Sequence, residues 1–237
     1  MRIAICYNGI VGKRNGDKHS IRQLEQNYKR HTSHDVDVFC HSWHAGDIGC
    51  RIDNILKPIL SIHENQIQFS LPALEVKQGW EPRATKSHFI DGRYQFNQKS
   101  SAFSVKKVIE LKKHYETLHK FNYDMVILTR YDIKISPFIN TLSEIDKYVY
   151  FERPKNDHDG RIKDYIFVSN SDNMDRYGEL YDKLDVYRYE RENYKKIRTS
   201  QCLSMDPHIF KKRHIETFAK PKAIIDSIHN FETFILR

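Results

Sequence analysis

Apolar residues along this chain gather into short runs, separated by longer stretches with helical spacing. Residues 2–7 are almost entirely apolar and stop at Asn8-Gly9, which predicts a buried first strand with a turn after it. A polar stretch follows, then a helix predicted over 20–31. Asp35 to Trp43 begins with alternation and becomes apolar, so it predicts a second buried strand. A helix is predicted over Ile52–Leu60, stopping near Pro58. Alternation of Ile62, Ile67 and Phe69 predicts a short strand over Ser61–Phe69. Leu71 to Phe96 shows no period, carries two Pro and two Gly, and is predicted to be a long loop of the kind that tends to serve function.

The most regular segment comes next. Ala102, Val105, Val108, Ile109, Tyr115 and Leu118 have helical spacing, which predicts a helix over Asn97–His119, capped by Asn97 or Ser100. Tyr123–Thr129 is a near-continuous apolar run, the pattern of a strand covered on both faces. Tyr148–Phe151 and Tyr165–Val168 predict two more short strands. Tyr177–Arg198 is charged, Tyr-rich and predicted partly helical, and residues 201–237 predict one or two closing helices. Strands alternating with helices predict an α/β fold, an α/β/α sandwich around a mostly parallel sheet, in a single domain over 1–237.

The 237 residues are too apolar for general disorder, and nine Gly with seven Pro exclude collagen-like and linker-like chains. Four Cys, at 6, 40, 50 and 202, form no C-x-x-C pair. Cys6 and Cys40 lie in predicted strands, which points to free buried thiols in a reducing compartment, hence the cytoplasm. No run of 18 apolar residues predicts a membrane span, and the N-terminus reads as a strand rather than a signal peptide. Lys and Arg number 39 against 31 Asp and Glu, a net charge of +8. That balance favours anionic partners: nucleotides, nucleic acid, phosphorylated sugars or an acidic membrane face.

Ligands of open parallel sheets bind beyond the carboxyl ends of the strands. The residues at issue are therefore Tyr7-Asn8-Gly9, His41-Ser42-Trp43, Arg130-Tyr131-Asp132 and Ser169-Asn170. Asp132 follows the most apolar strand, where a carboxylate can hold a divalent cation against a pyrophosphate. An Arg130–Asp132 surface pair is the plainer reading of the same residues. Gly9 and Gly12 admit close backbone approach. Lys13, Arg14 and Arg130 are candidates for phosphate charge, and Tyr7 for stacking on a base. His41 and Trp43 alternate on one side of the second strand.

Ser100, Ser104, Val105, Lys107, Glu110, Leu111, Lys112 and Lys113 fit a helix of the type S-x-x-x-S-[IV]-x-K-x-x-E-L-K-K. Ile127, Thr129, Arg130, Tyr131 and Asp132 fit a strand ending [IVL]-x-[ST]-R-[FY]-D. With residues 2–9, 37–43 and the D-x-x-F-x-S run Asp164–Ser169, this order of motifs resembles small GT-A-fold glycosyltransferases of large DNA viruses (chlorovirus-type) and bacterial surface-polysaccharide clusters. The resemblance runs from residue 1 to about 215. It implies a Rossmann-like GT-A fold and transfer of sugar from a UDP- or GDP-sugar to a glycan hydroxyl, assisted by Mn2+ or Mg2+. For a viral chain it places the protein in the host cytoplasm.

For such a transfer, donor contacts are expected from Tyr7, Asn8, Gly9, Arg14, His41, Trp43, Ser100, Arg130 and Tyr131. The fold's usual metal motif is D-x-D; Arg130 stands at its first carboxylate, so Asp132 alone carries over as metal ligand and catalytic group. His208, in Asp206-Pro207-His208, is the candidate second ligand. An inverting transfer needs a base for the acceptor hydroxyl. Asp164 is the first candidate, with Asp157 and Asp159 as alternates, and a retaining course stays open. Two other readings remain: a basic nucleic-acid-binding module using the Tyr- and Arg-rich segment 187–198, and a degenerate protein that binds nucleotide sugar without turnover.

Overall fold

A computed structural model of the chain describes residues 1–11, 21–22, 24–26, 36–70, 93–133, 135, 144–152, 162, 165–192 and 207–224. Seven strands form one sheet: β1 (Ile3–Gly9), β2 (Val36–Ser42), β3 (Leu60–His63), β4 (Met125–Arg130), β5 (Tyr148–Glu152), β6 (Ile166–Ser169) and β7 (Lys220–Ile224). Their order across the sheet is β3-β2-β1-β4-β6-β5-β7. β3, β2, β1 and β4 run parallel, β6 is antiparallel to both β4 and β5, and β5 is parallel to β7. The sheet is thus mostly parallel, as predicted. The chain lays down β1, β2 and β3 outward in one direction and returns to place β4 on the other side of β1. The switch in strand order lies between β1 and β4.

Five described helices follow the strands: α1 (Asp47–Leu56), α2 (Arg93–His119), α3 (Ser171–Gly178), α4 (Leu180–Glu192) and α5 (Pro207–Glu216). The backbone at 21–22 and 24–26 is also helical, within the helix predicted over 20–31. Alternate residues of β1 feed two separate cores. Ile3, Ile5 and Tyr7 pack with Ile52 and Leu56 of α1 and with Met125 and Ile127 of β4. Ala4 and Cys6 pack with Ala102, Val105, Val108 and Ile109 of α2 and with Met174 and Tyr177 of α3. The period of two in the strand and near 3.6 in the helices meets in these layers, which gives the α/β/α arrangement.

Local chemistry sets the helix ends. Lys57, in the left-handed region at φ 46°, closes α1 by donating its N–H to the Asp53 carbonyl at 2.8 Å, and Pro58 stops continuation. The helix begins at Asp47, ahead of the predicted Ile52, because its buried position there is Gly49, which carries no apolar signal. A Cβ on Gly49 would sit 2.7 Å from His63 Cβ. α2 begins at Arg93 rather than Asn97, so Asn97 and Ser100 lie inside it and cap nothing. Gln95 and Gln98 occupy its buried positions there, which hides the apolar period.

Three further expectations change. The strand predicted over Ser61–Phe69 is only Leu60–His63. The charged segment after 177 contains α4, preceded by α3, which was not expected; Asn170 caps α3 by accepting the Asn173 N–H at 2.9 Å. The C-terminal region holds one described helix, then β7, whose Lys-Pro-Lys start does not read as a strand. β7 pairs with β5 alone, and an edge tolerates Pro and Lys as an interior strand does not.

A buried ion cluster ties α2 to α3. Lys112, fully buried, lies 2.7 Å from Glu116 Oε2 and 2.8 Å from Asp175 Oδ1, and donates to the Ser171 hydroxyl. Glu116 Oε1 accepts from Ser171 Oγ and from the Tyr123 N–H, each at 2.7 Å. The Lys in the α2 motif therefore joins helices and leads the chain into β4.

Candidate functional site

The carboxyl ends of β1 and β4 are fixed by polar side chains. Asn8 donates from Nδ2 to the Thr129 carbonyl at 3.0 Å, across the switch point itself. Thr129 donates its hydroxyl to the Tyr165 carbonyl at 3.0 Å, which holds the start of β6 beside the end of β4. Gly9 sits at φ +102°, a conformation that side chains disfavour. Its N–H donates to Ser104 Oγ at 2.8 Å, and its carbonyl accepts the Trp43 N–H at 3.1 Å.

Ser104 is one end of a buried relay. His41 Nδ1 is 2.7 Å from Ser104 Oγ, and His41 Nε2 is 2.9 Å from Glu64 Oε1. In the neutral ring Nε2 donates to the Glu64 carboxylate, which leaves Nδ1 to accept the Ser104 hydroxyl proton. Burial lowers the His41 pKa from 6.5, against the opposing pull of Glu64. A second relay lies one strand outward: Ser42 Oγ to His63 Nδ1 at 2.7 Å, and His63 Nε2 to Asp53 Oδ1 at 2.8 Å. Ser100 donates to Gln66 Oε1 at 3.1 Å. The two serines of the S-x-x-x-S spacing thus stitch α2 to the strand ends and to the segment after β3.

Ser104 is level with the last residue of β1. The eleven residues of α2 before it, about 16 Å of helix, therefore extend past the carboxyl edge of the sheet. They pack on the segment after β3, where Phe96 meets Phe69 and Lys99 donates to the Ser70 carbonyl at 3.1 Å. Gln98 continues the stripe of Ala102, Val105 and Ile109. Trp43 is stacked on Phe103 with ring centres 5.5 Å apart, and Phe69 packs edge-on to both Trp43 and Phe103.

Arg130 and Asp132 make one unit. Arg130 Nε donates to Asp132 Oδ1 at 2.9 Å and Nη2 donates to Oδ2 at 2.5 Å, a two-pronged pair. The guanidinium also lies 5.6 Å from the centre of the Tyr165 ring. The arginine side chain is 36% exposed and the carboxylate 16%.

The predicted site residues separate by place. Asn8, Gly9, Arg130 and Asp132 converge at the ends of β1 and β4. Tyr7 and Tyr131 are fully buried and stacked on each other at 5.5 Å, with the Tyr131 hydroxyl facing the Cys40 thiol, so they form the floor beneath those ends. His41 is fully buried with both ring nitrogens used inside the protein, and Trp43 packs among aromatics. Ser100 is buried in α2. Arg14 and Asp164 lie outside the described residues, as do Gly12, Lys13, Asp157 and Asp159. Asp164 immediately precedes Tyr165 in the chain. His208 falls in the first turn of α5, and its side chain lies outside the described part. Tyr187, from the segment considered for nucleic acid, is buried and donates its hydroxyl to His214 Nδ1 at 2.8 Å. Ser104 and Glu64 were missed as site residues; the S-x-x-x-S spacing was the only signal.

Of the two predicted metal ligands, Asp132 is described and the side chain of His208 is not. Arg130 stands where a first carboxylate would, and its fork takes both oxygens of Asp132. Among the described residues no three His, Cys, Asp or Glu side chains gather as a ligand set. No described helix is long and apolar enough to cross a membrane.

No protein-family model matches the sequence, and no curated protein matches it. Solved structures with a similar backbone include the apo-form glycosyltransferase GlyE of Streptococcus pneumoniae TIGR4, at TM-score 0.46 and 9% identity over 93% of this chain and 44% of that one. A second GlyE structure from that organism gives TM-score 0.44 and 12% identity, over 94% of this chain and 46% of that one. A protein named as a nucleotide-diphospho-sugar transferase from Desulfovibrio desulfuricans G20 gives TM-score 0.40 and 12% identity, over 94% and 80%. The chain spans less than half the length of the GlyE chains.

Proposed function

We propose that the chain transfers a sugar from a nucleoside-diphosphate sugar, UDP- or GDP-linked, to a hydroxyl of a glycan acceptor. The observation that carries this reading is the convergence of Asn8, Gly9, Arg130 and Asp132 at the carboxyl ends of the two strands that flank the switch in strand order. Ligands of doubly wound sheets bind in that crevice. The ordered sequence motifs that resemble GT-A-fold glycosyltransferases end on the same residues.

In this reading the left-handed Gly9 keeps the end of β1 free of a side chain, so the nucleotide approaches the backbone closely. The polar ends of β1 and β4 receive the diphosphate. The bond from the anomeric carbon to the diphosphate oxygen breaks, and its electron pair leaves with the phosphate. The acceptor oxygen bonds to that carbon. In an inverting transfer its proton passes to a carboxylate, assigned to Asp164, which precedes Tyr165 in the sequence. Arg14, in the segment after β1, is assigned to the phosphates.

The test is a panel of UDP-, GDP- and dTDP-sugars. A donor raises the melting temperature by mass action when it binds the folded state alone. The expected result is a rise with one nucleotide class and release of that nucleoside diphosphate when a glycan acceptor is added. A panel in which no donor shifts the melting temperature and none is cleaved overturns the reading.

A further inference from the structure

We infer that the side-chain amide of Gln98 reads the hydroxyls of the transferred sugar. The inference rests on the transferase reading and deepens it. Gln98 is 6% exposed, and neither its amide nitrogen nor its amide oxygen has a hydrogen-bond partner. A primary amide offers two donor protons and an acceptor oxygen, so burying one wholly unpaired works against folding. Such groups are rare in native chains and call for a partner that the chain itself does not supply.

The place of Gln98 says which partner. Helix α2 runs from the carboxyl edge of the sheet, where Ser104 meets the Gly9 N–H, to the amino edge, where Glu116 takes the Tyr123 N–H. Gln98 precedes Ser104 by about 9 Å of helix, beyond the carboxyl edge. It continues the stripe of Ala102, Val105 and Ile109, which packs on Leu128 of β4 and Phe167 of β6. Cys6 and Leu128 share that core, and alternation puts Asn8 and Arg130, the next residues of the same parity, on the same face of the sheet. Phe96, about 200° round the helix from Gln98, packs on Phe69 instead. The stripe therefore sets Gln98 over the end of β4 and the start of the antiparallel β6. The assigned base, Asp164, precedes Tyr165, whose carbonyl accepts from Thr129 at that end of β4. The sugar that reacts belongs on the side of its base. An uncharged amide also suits sugar hydroxyls, which donate and accept, better than phosphate oxygens, which accept.

Titration calorimetry of the intact protein with Mn2+ present tests this, using UDP, GDP and dTDP beside UDP-glucose, UDP-galactose, GDP-mannose and dTDP-glucose. Gln98→Met keeps the length of the side chain and removes the amide. The expected result is that Gln98→Met binds the recognised nucleoside diphosphate as the parent does, and its nucleotide sugar about 10-fold more weakly, the order for one or two neutral hydrogen bonds. The melting temperature of Gln98→Met should equal or exceed the parent's, since an unpaired buried amide has been replaced by an apolar group of the same shape. Gln98→Asn keeps an amide one methylene short and should fall between the two. A nucleotide sugar bound equally by parent and Gln98→Met, a loss shared equally by the nucleoside diphosphate, a parent that binds a nucleoside diphosphate and none of the sugars, or a melting temperature well below the parent's overturns the inference and leaves the transferase reading standing. Failure of every nucleotide and nucleotide sugar to bind the parent overturns both.

Discussion

Ser104 Oγ accepts the backbone N–H of Gly9 at 2.8 Å, so a helix side chain completes the hydrogen bonding of the last residue of the first strand. The same hydroxyl meets His41 Nδ1 at 2.7 Å, and Ser104 is fully buried. Ser104→Ala strips a partner from the buried His41 ring and from the half-buried Gly9 N–H at once. A buried group left unpaired costs about 1–3 kcal/mol. The unfolding free energy should fall by about that much and the urea midpoint with it, the slope unchanged, whereas Ser101→Ala, on a less buried position of the same helix, should move the midpoint little. Equal midpoints for the two variants would show that the relay contributes nothing.

His41 makes the fold sensitive to acid. Its pKa lies below the 6.5 of an unfolded histidine, because burial disfavours the charged ring; Lys107 and His63 press the same way, and Glu64 opposes them. His214, buried between Tyr187 and the Arg176 carbonyl, is lowered for the same first reason. Between the folded and unfolded values the unfolded chain binds more protons, so stability rises with pH in that window. It is complete above about pH 6.5 and lost as pH falls through the folded value. The melting temperature should be flat from pH 7 to 8 and fall below 6.5. His41→Gln should lower the plateau and flatten the acid slope, with the remaining slope belonging to His214. An acid slope in His41→Gln identical to the parent's would refute the assignment.

How far the sequence carried depends on where the apolar signal was. β1 and β4 are buried along their length and apolar as far as Tyr7 and Leu128, so those runs declare themselves, and β2 shows alternation before its buried half. The strand ends followed directly, and with them Asn8, Gly9, Arg130 and Asp132. Helix α2 was legible only from Asn97 onward, because Gln95 and Gln98 fill the buried positions of its first turns. β7 was not legible at all: an edge strand beginning Lys-Pro-Lys has no apolar alternation to show. Tyr7 was readable as a base-stacking ring, and only the register, which sets it opposite Thr129, lets its stack with Tyr131 be seen. The role of Ser104 depends on a contact 95 residues away along the chain, which spacing alone does not encode.

The buried Lys112 cluster offers a sharper stability test. Removing the lysine leaves Glu116, 5% exposed, without the cation 2.7 Å away, and leaves Asp175, 19% exposed, with Lys113 at 3.6 Å. Breaking a buried pair from one side costs about 3–5 kcal/mol. Lys112→Met should therefore lower unfolding free energy by that order. Adding Glu116→Gln and Asp175→Asn to it should recover part of the loss. A cycle over these variants should show strong non-additivity. Additive effects would mean that the three side chains are not coupled.

The thiols report on the same sheet from inside. Cys6 and Cys40 lie on adjacent strands, fully buried, while Cys50 on α1 is exposed. Burial pushes the Cys6 thiol up to about 12 and raises Cys40 as well, so neither forms thiolate at neutral pH. Alkylation needs both thiolate and access. In the native protein, iodoacetamide followed by peptide mapping should label Cys50 and leave Cys6 and Cys40 unmodified. Labelling of the two buried thiols should begin only across the urea transition, and together, since neighbouring central strands open with the global unfolding free energy. Labelling of Cys40 well before Cys6 would show that β2 opens independently of β1. The His41 relay, which hangs from β2, would then open before the β1–β4 switch point itself.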